Sequence, residues 1–141
     1  MNLIEVTGGK VKEREIVEAT VAWCIKKIMP RMRTLDIEVT IKKLPVAMGY
    51  CLQCDSNRQF ELEIKKGMSL FDLISTVCHE MVHVKQYARG ELRYIASGTR
   101  LWKAKIISDK VEYMDLPWEK EAFEMERGLA LQCFQEITVS S

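Results

Sequence analysis

The strongest constraint on this chain lies in its only two histidines, which stand four residues apart in His79-Glu80-Met81-Val82-His83. On an α-helix this spacing puts both imidazoles on one face, one turn apart, where they can bind the same metal ion. The intervening Glu80 would lie beside that metal, placed to take a proton from a bound water. The motif therefore requires a helix here, a third ligand elsewhere in the chain and an open coordination position.

Length and composition are those of an ordinary globular chain. The 141 residues are 48% apolar and 29% charged with a net charge of +1, which fits one domain spanning residues 1–141. Near-neutrality disfavours a protein whose main role is to coat nucleic acid. No apolar run approaches the ~20 residues that span a bilayer, and no secretory signal is visible. The chain has five cysteines, an odd number that fits reduced thiols better than a framework of disulfides. We therefore expect a cytoplasmic protein with reduced thiols and no membrane partner.

The order of periodic segments predicts an α+β domain. Prolines, a glycine and the Ser69 cap mark the ends of three segments with helical apolar spacing. Alternating apolar and polar residues mark three strands between the first two helices, and we expect a three-stranded, mostly antiparallel sheet. The predicted helices cover residues 11–29, 70–88 and 117–137, the strands cover 35–41, 48–52 and 59–64, and an irregular loop includes a short strand or hairpin over 100–107.

The second predicted helix separates an apolar face from a polar one. Its apolar stripe, drawn at about 100° per residue, should pack on the sheet. His79 and His83 fall on the opposite side, in line with Asp72, Thr76 and Gln86, so they should face a cleft. The stripe consists of Leu70, Leu73, Ile74, Val77, Met81, Val84 and Ala88.

The last predicted helix offers the missing ligand. A catalytic zinc takes three protein ligands and leaves a fourth position for water, and with no histidine left the candidates are Cys, Asp and Glu. Glu119 lies near the centre of an apolar face, where a carboxylate is costly unless it is paired or binds a cation. Glu121 points almost the opposite way, toward solvent. Glu126 shares the apolar face and could hold a histidine, or replace Glu119 if the helix register differs.

The combined motif resembles that of gluzincin metallopeptidases. In that family a glutamate on a later helix, three residues before a small residue, is the third zinc ligand. Here Glu119 stands three residues before Ala122, and 35 residues separate it from the H-E-x-x-H motif. The resemblance implies that His79, His83 and Glu119 are the zinc ligands. Many gluzincins have an aspartate after the small residue to orient a histidine, whereas this chain has Phe123.

Residues 72–87, 101–103 and 115–119 look like the SprT-like and phage-encoded minimal zincins, a likeness that covers about residues 35–135. It implies an N-terminal helix, a sheet, the H-E-x-x-H helix, an irregular segment and a C-terminal helix with the third ligand. A histidine ligand would then be oriented by Asp72, Glu126 or a backbone carbonyl. SprT-like proteases usually use a third histidine and many carry a zinc ribbon. This chain has neither, so their role on DNA does not transfer directly.

These residues predict a zinc-dependent metallopeptidase with one catalytic Zn²⁺. Glu80 would accept a proton from the zinc-bound water and pass it to the leaving amine. Tyr113, shortly before the third ligand, is the candidate donor to the oxyanion, with Tyr87 and Tyr94 as rivals. We expect a protein or peptide substrate to lie extended along a free sheet edge formed by the 59–64 strand.

Three other interpretations stay open. The chain could be a zinc-binding or regulatory module without hydrolytic activity, although such a module has no need of Glu80. It could be a DNA-associated protease of the SprT-like kind, although nucleic acid is indicated only by a basic flank. A structural zinc site could instead be closed by Cys51 or Cys54. In each case we expect a monomer, and the basic flank comprises Arg89, Arg93, Arg100, Lys103 and Lys105.

Overall fold

Three long helices and two β-sheets make up the fold, which is of the α+β class. The computed structural model describes residues 1–95 and 98–139 of the chain. The helices are α1 (Val11–Ile28), α2 (Leu70–Ala88) and α3 (Pro117–Val139), and a 3₁₀ turn covers Tyr113–Asp115. The strands are β1 (Leu3–Gly8), β2 (Asp36–Lys42), β3 (Gly49–Gln53), β4 (Gln59–Lys65), β5 (Leu92–Tyr94), β6 (Arg100–Trp102) and β7 (Lys105–Ile107).

The larger sheet is mixed and has four strands in the order β1-β2-β4-β3. Strands β1, β2 and β4 run parallel, and only the β3–β4 pair is antiparallel. The expectation of three mostly antiparallel strands was therefore wrong, and the N-terminal strand was missed. The physical reason is the crossover, because α1 connects β1 to β2 over the sheet and returns the chain in the same direction.

Strand β4 lies in the middle of the sheet, although residues 59–64 were expected to form its free edge. It is hydrogen-bonded to β2 on one side and to β3 on the other. Its inward side chains Phe60, Leu62 and Ile64 are at most 1% exposed, as suits a central strand. The free edge next to β4 therefore belongs to β3, which has no partner on its outer side among the described residues.

The apolar side chains of β2 and β4 meet α1 and α2 in one core. Helix α2 lies deepest, with 14 of its 19 residues buried. Its expected stripe packs into this core, except that Leu70 is 38% exposed because it stands at the first position of the helix. Among the described residues, no helix is both long enough and apolar enough to cross a membrane.

The segment after α2 forms the second sheet, in the order β5-β6-β7. The hairpin expected over residues 100–107 is confirmed, and β5 adds a third antiparallel strand to it. The three short strands and the turn after them lead the chain from α2 into α3, which packs across α2.

The predicted helix bounds also agree with the structure to within two residues, because Ser69 caps α2 and Pro117 opens α3.

A single carboxylate ties the start of α1 to the loop before α2. Glu13 accepts one hydrogen bond from the Lys10 backbone N–H (2.8 Å) and another from the Gly67 backbone N–H (2.9 Å). These two backbone donors hold the pKa of the Glu13 carboxyl below its usual range, and the Gly67 N–H has the larger effect. The stability that Glu13 contributes is therefore present above its unfolded-state pKa near 4.5 and is lost as the pH falls through its lower folded-state value.

We expect Glu13→Gln to destabilise the protein by about 0.5–1 kcal/mol at neutral pH, because the amide can accept only through its one oxygen. Thermal unfolding from pH 7 to pH 3 measures this, and the gap between variant and parent should shrink on the acid side. Glu15→Gln is the matched control, since Glu15 is exposed on the same helix. A gap that stays constant with pH would contradict the assignment.

Candidate metal centre

Three side chains from two helices converge on one point. His79 and His83 project from neighbouring turns of α2, and Glu119 projects from the first turn of α3. Glu119 Oε1 lies 3.1 Å from His79 Nε2 and 3.2 Å from His83 Nε2. The structure thus brings together the three residues that the sequence singled out as ligands, and one ligand atom from each lies within 4.8 Å of the others.

This donor set fits a metal ion. Bonds of 2.0–2.1 Å in tetrahedral geometry separate neighbouring ligand atoms by roughly 3.3 Å, close to the spacings between Glu119 and the histidines. The three residues are each 7% exposed, so the charge of the carboxylate is held away from bulk water. A bound cation would offset that burial, and the cluster can hold one.

The second ring nitrogen of His79 is held by α3. Its Nδ1 lies 2.7 Å from Glu126 Oε1, and the Ser75 hydroxyl donates a hydrogen bond to Glu126 Oε2 at 3.0 Å. With Nδ1–H donating to Glu126, the Nε2 lone pair is left for a metal. Glu126 was one of the three groups considered for this role, whereas Asp72 is exposed in the first turn of α2.

The second ring nitrogen of His83 is held by a residue that sequence analysis did not assign to the site. Gln86 Oε1 lies 2.8 Å from His83 Nδ1. The Gln86 amide then donates to the Trp118 backbone carbonyl and to Glu121 Oε1. Gln86 had been placed in line with the histidines on the helix, and that shared face is the signal that could have identified it.

Glu121 does not face solvent as expected. Its carboxylate accepts hydrogen bonds from Lys85 Nζ (2.8 Å) and Gln86 Nε2 (3.1 Å). A helical projection of α3 alone gave the wrong environment, because α2 and the turn after it extend alongside the first turn of α3. Glu121 thereby supports the glutamine that orients His83.

Hydrogen bonds within the cluster outweigh burial in determining the pKa values of its three side chains. Burial acts to raise the pKa of Glu119, but the two histidines lower it to about 2. Burial acts to lower the pKa of His79, but Glu119 and Glu126 raise it to about 9. The same balance raises the pKa of His83. Without a metal His79 therefore holds a second proton at neutral pH, which a cation must displace to bind.

Glu80 lies in the same cleft without belonging to the cluster of three. Its side chain is 6% exposed, and burial raises the pKa of its carboxyl above the usual range. Strand β3 passes directly over it: a Cβ on Gly49 would meet Glu80 Oε2 at 3.2 Å and Thr76 Cγ2 at 3.0 Å. Gly49 thus favours the close approach of the edge strand to this carboxylate, which sequence analysis did not foresee.

A cavity of about 560 Å³ opens onto these groups. The Tyr113 hydroxyl donates a hydrogen bond to Glu119 Oε1 at 3.0 Å, and burial, followed by the charge of Glu119, raises the pKa of Tyr113 so that the hydroxyl keeps its proton. The rival tyrosines, Tyr87 and Tyr94, line the same cavity and stack on each other. The geometry therefore places all three phenols at the cleft and gives Tyr113 the direct contact.

The cysteines stand outside the cluster. Cys51 lines the cavity and Cys54 is exposed at the end of β3, but among the described residues neither joins the group of ligand atoms. A site closed by a cysteine ligand therefore has no support. At the position where many gluzincins have aspartate, the Phe123 ring packs edge-on to His79 with centroids 4.7 Å apart.

Part of the basic flank has structural partners. Arg89 donates to the Ile28 carbonyl, and the Arg100 guanidinium lies over the Trp118 ring while donating to the Ser108 carbonyl. Lys103 lies over the Trp102 ring at 5.2 Å. The Arg100 contact joins the second sheet to α3, the Arg89 bond joins the end of α2 to the end of α1, and the Lys103 contact lies within the β6–β7 hairpin.

We expect Glu126→Ala to weaken metal binding by about 10–100-fold, because His79 loses the group that fixes its orientation. Competition with a chelator of known affinity measures this. Glu124→Ala, an exposed glutamate on the same helix, is the matched control and should bind metal as the parent does. Equal affinities for the two variants would show that Glu126 does not orient the ligand.

Comparison with known proteins adds no independent assignment. No protein-family model matches the chain, and neither a curated protein nor a solved structure gives a significant match. The chemistry of the site therefore has to be inferred from the cluster of His79, His83 and Glu119 and from the groups around it.

Proposed function

We propose that this protein is a zinc-dependent metallopeptidase with a zincin-type arrangement of helices and edge strand. Two imidazoles and one carboxylate are the donor set of many catalytic zinc sites, which leave a further position open. The cavity beside the cluster provides room for a substrate at that position. The resemblance of the sequence motif to gluzincins and to the smaller zincins supports the same conclusion.

The observation that carries the proposal is the position of Glu80. A site that only stores or senses metal has no use for a buried carboxylate that is not a ligand, and such a group is costly to bury. Here Glu80 faces the cleft next to His79 and His83 and under β3. Its raised pKa suits a group that must take up and return a proton near neutral pH.

Each residue then has a distinct role. His79, His83 and Glu119 hold the zinc, which when bound supplies Lewis acidity to a water and to the substrate carbonyl. The Glu80 carboxylate would accept a proton from the attacking water and then donate it to the leaving amine. Tyr113, whose hydroxyl already reaches the cluster, turns to donate a hydrogen bond to the oxyanion of the tetrahedral intermediate.

The substrate is a peptide or protein segment that pairs with β3 as an added strand. Strand β3 has a free edge, and residues 47–51 line the cavity. Backbone pairing along this edge would draw the scissile bond over Glu80 without demanding a particular side chain. Sequence analysis expected the substrate to pair with β4; the proposed pairing strand is instead β3.

We place the protein in the cytoplasm as a monomer. All five cysteines are free, which suits a reducing compartment. One chain supplies all three proposed ligands, His79 and His83 from α2 and Glu119 from α3. Mass measurement in solution tests the oligomeric state.

Metal content and hydrolysis measured together test the proposal. Purified parent protein should carry about one zinc per chain and cleave an unstructured protein such as casein. Glu119→Ala should lose most of the zinc, whereas Glu80→Gln should keep it and lose hydrolysis. The matched control is Glu124→Gln, which should retain both properties.

Two results would overturn the proposal in different ways. Full zinc occupancy in Glu119→Ala would remove that residue from the ligand set. Hydrolysis that survives Glu80→Gln would separate the metal site from catalysis, and a zinc-loaded parent that cleaves no peptide library would favour a regulatory zinc module.

We expect Tyr113→Phe to lower kcat by about a hundredfold with little change in KM, since an oxyanion donor acts in the transition state. Zinc content should stay at the parental level because the phenol is not a ligand. Tyr94→Phe is the comparison variant at the same cleft, and a larger loss of kcat there than in Tyr113→Phe would transfer the role to Tyr94.

A further inference from the structure

A second cavity lies at the end of the sheet where the parallel strands finish. It has a volume of about 1100 Å³ and sits beyond the carboxyl ends of β1, β2 and β4, beside the start of α1. In open sheets with parallel strands, the crevice outside these ends is where ligands bind. Its lining is dominated by five lysines, which are Lys10, Lys42, Lys43, Lys65 and Lys66.

The rim of this cavity is preformed by backbone. Gly8, at a φ of +81°, ends β1 so close to β2 that a Cβ would clash with the Ile41 carbonyl oxygen. Glu13 then fastens the start of α1 to Gly67 across the cavity. A rim held in this way does not need to be ordered by the ligand, which favours binding.

The positive charge of the cavity is only partly compensated. Two carboxylates offset it: Glu63 pairs with Lys42 at 3.2 Å, and the Glu13 carboxylate, which accepts from two backbone N–H groups, also interacts with the charges of Lys10 and Lys66. Among the described residues, none of the other four lysines of the cavity takes part in an ion pair. The cavity therefore presents a concentrated positive field on a chain whose net charge is only +1.

The lysine cavity and the metal cleft are neighbours. The loop between β2 and β3 lines both, with residues 43–45 facing the lysines and residues 47–48 facing the metal cleft. Thr76 Oγ1 lies 4.0 Å from Met48 Sδ in the cleft and 3.8 Å from Met68 Sδ in the lysine cavity. One layer of side chains therefore separates the two, and a strand paired with β3 would pass from one to the other.

We propose that the lysine cavity binds an acidic stretch of the substrate that flanks the bond held in the metal cleft. This inference rests on the proposed peptidase function and adds the substrate class. A peptide on the β3 edge that continues past Gly49 reaches the lysines within a few residues, at about 3.3 Å per residue. Aspartate or glutamate side chains there meet charge of the opposite sign, which raises affinity without touching the reacting atoms.

An acidic peptide fits this surface better than a nucleic acid does. No aromatic residue lines the cavity among the described residues, so there is no platform on which a base can stack. The outer face of the sheet carries Glu38 opposite Glu61, with Glu63 two residues before Lys65. A long polyanion would be repelled by these glutamates, whereas a short acidic segment lies within the cavity.

Binding to zinc-loaded Glu80→Gln protein tests the inference without requiring cleavage. Two labelled peptides share a neutral segment and differ only in a flanking run of glutamate or glutamine, placed before or after it in separate versions. Fluorescence anisotropy at low salt should show the glutamate peptide binding about tenfold more tightly in one orientation, and the preference should fade with added salt.

Charge reversal locates the effect. Lys43→Glu with Lys66→Glu should abolish the preference, whereas Lys26→Glu with Lys27→Glu, at the other end of α1, should keep it. Thermal unfolding checks that both double variants remain folded. In the active protein the cavity variant should raise KM for the glutamate peptide about tenfold and leave kcat unchanged, because these lysines do not touch the reacting atoms.

Several outcomes would overturn the inference. The first is equal binding of the two peptides, and the second is a preference that survives in the cavity variant. The third is a single-stranded oligonucleotide that displaces the glutamate peptide and no longer binds to that variant. Tight, lysine-dependent binding of the glutamate peptide by a parent protein that hydrolyses nothing would instead refute the peptidase proposal and leave an acidic-peptide site.

Discussion

The burial of ionisable groups between α2 and α3 is the constraint on which the rest of the structure depends. His79, His83 and Glu119 are each 7% exposed. Taking such groups out of water is strongly unfavourable unless each finds a partner. The two helices are therefore held in one register, in which Glu126 meets the outer nitrogen of His79 and the Gln86 amide meets the Trp118 carbonyl. A metal ion would complete this arrangement rather than create it.

The strand order of the larger sheet shapes the cleft as much as its packing in the core does. Because β4 occupies the centre, β3 is left at the edge and directly above the motif helix. A Cβ on Gly49 would crowd the Glu80 carboxylate, so the glycine favours the close approach of the strand. The edge that could accept a peptide and the carboxylate that could act on it are thus parts of one packing contact, and a change in either is felt by the other.

The helices and the ligands could be predicted because their signals are local. The Ser69 cap, the proline that opens α3 and the 3.6-residue periodicity fix the helical faces, and a carboxylate on an apolar face stands out as Glu119 did. The strand order could not be predicted in this way, since it depends on which distant segments pair. The environment of Glu121 was missed for a similar reason, because Lys85 and Gln86 belong to another helix.

The order of the donors along the chain has a consequence for biosynthesis. Glu119, the third residue of the cluster, follows the two histidines by 40 and 36 residues and lies on the last helix of the fold. A ribosome-bound chain that has released only α2 holds two histidines without their acidic partners. The full donor set forms only when α3 has docked, so completion of the tertiary structure and assembly of the metal centre are one event. A nascent chain would therefore acquire the proposed peptidase activity only on folding.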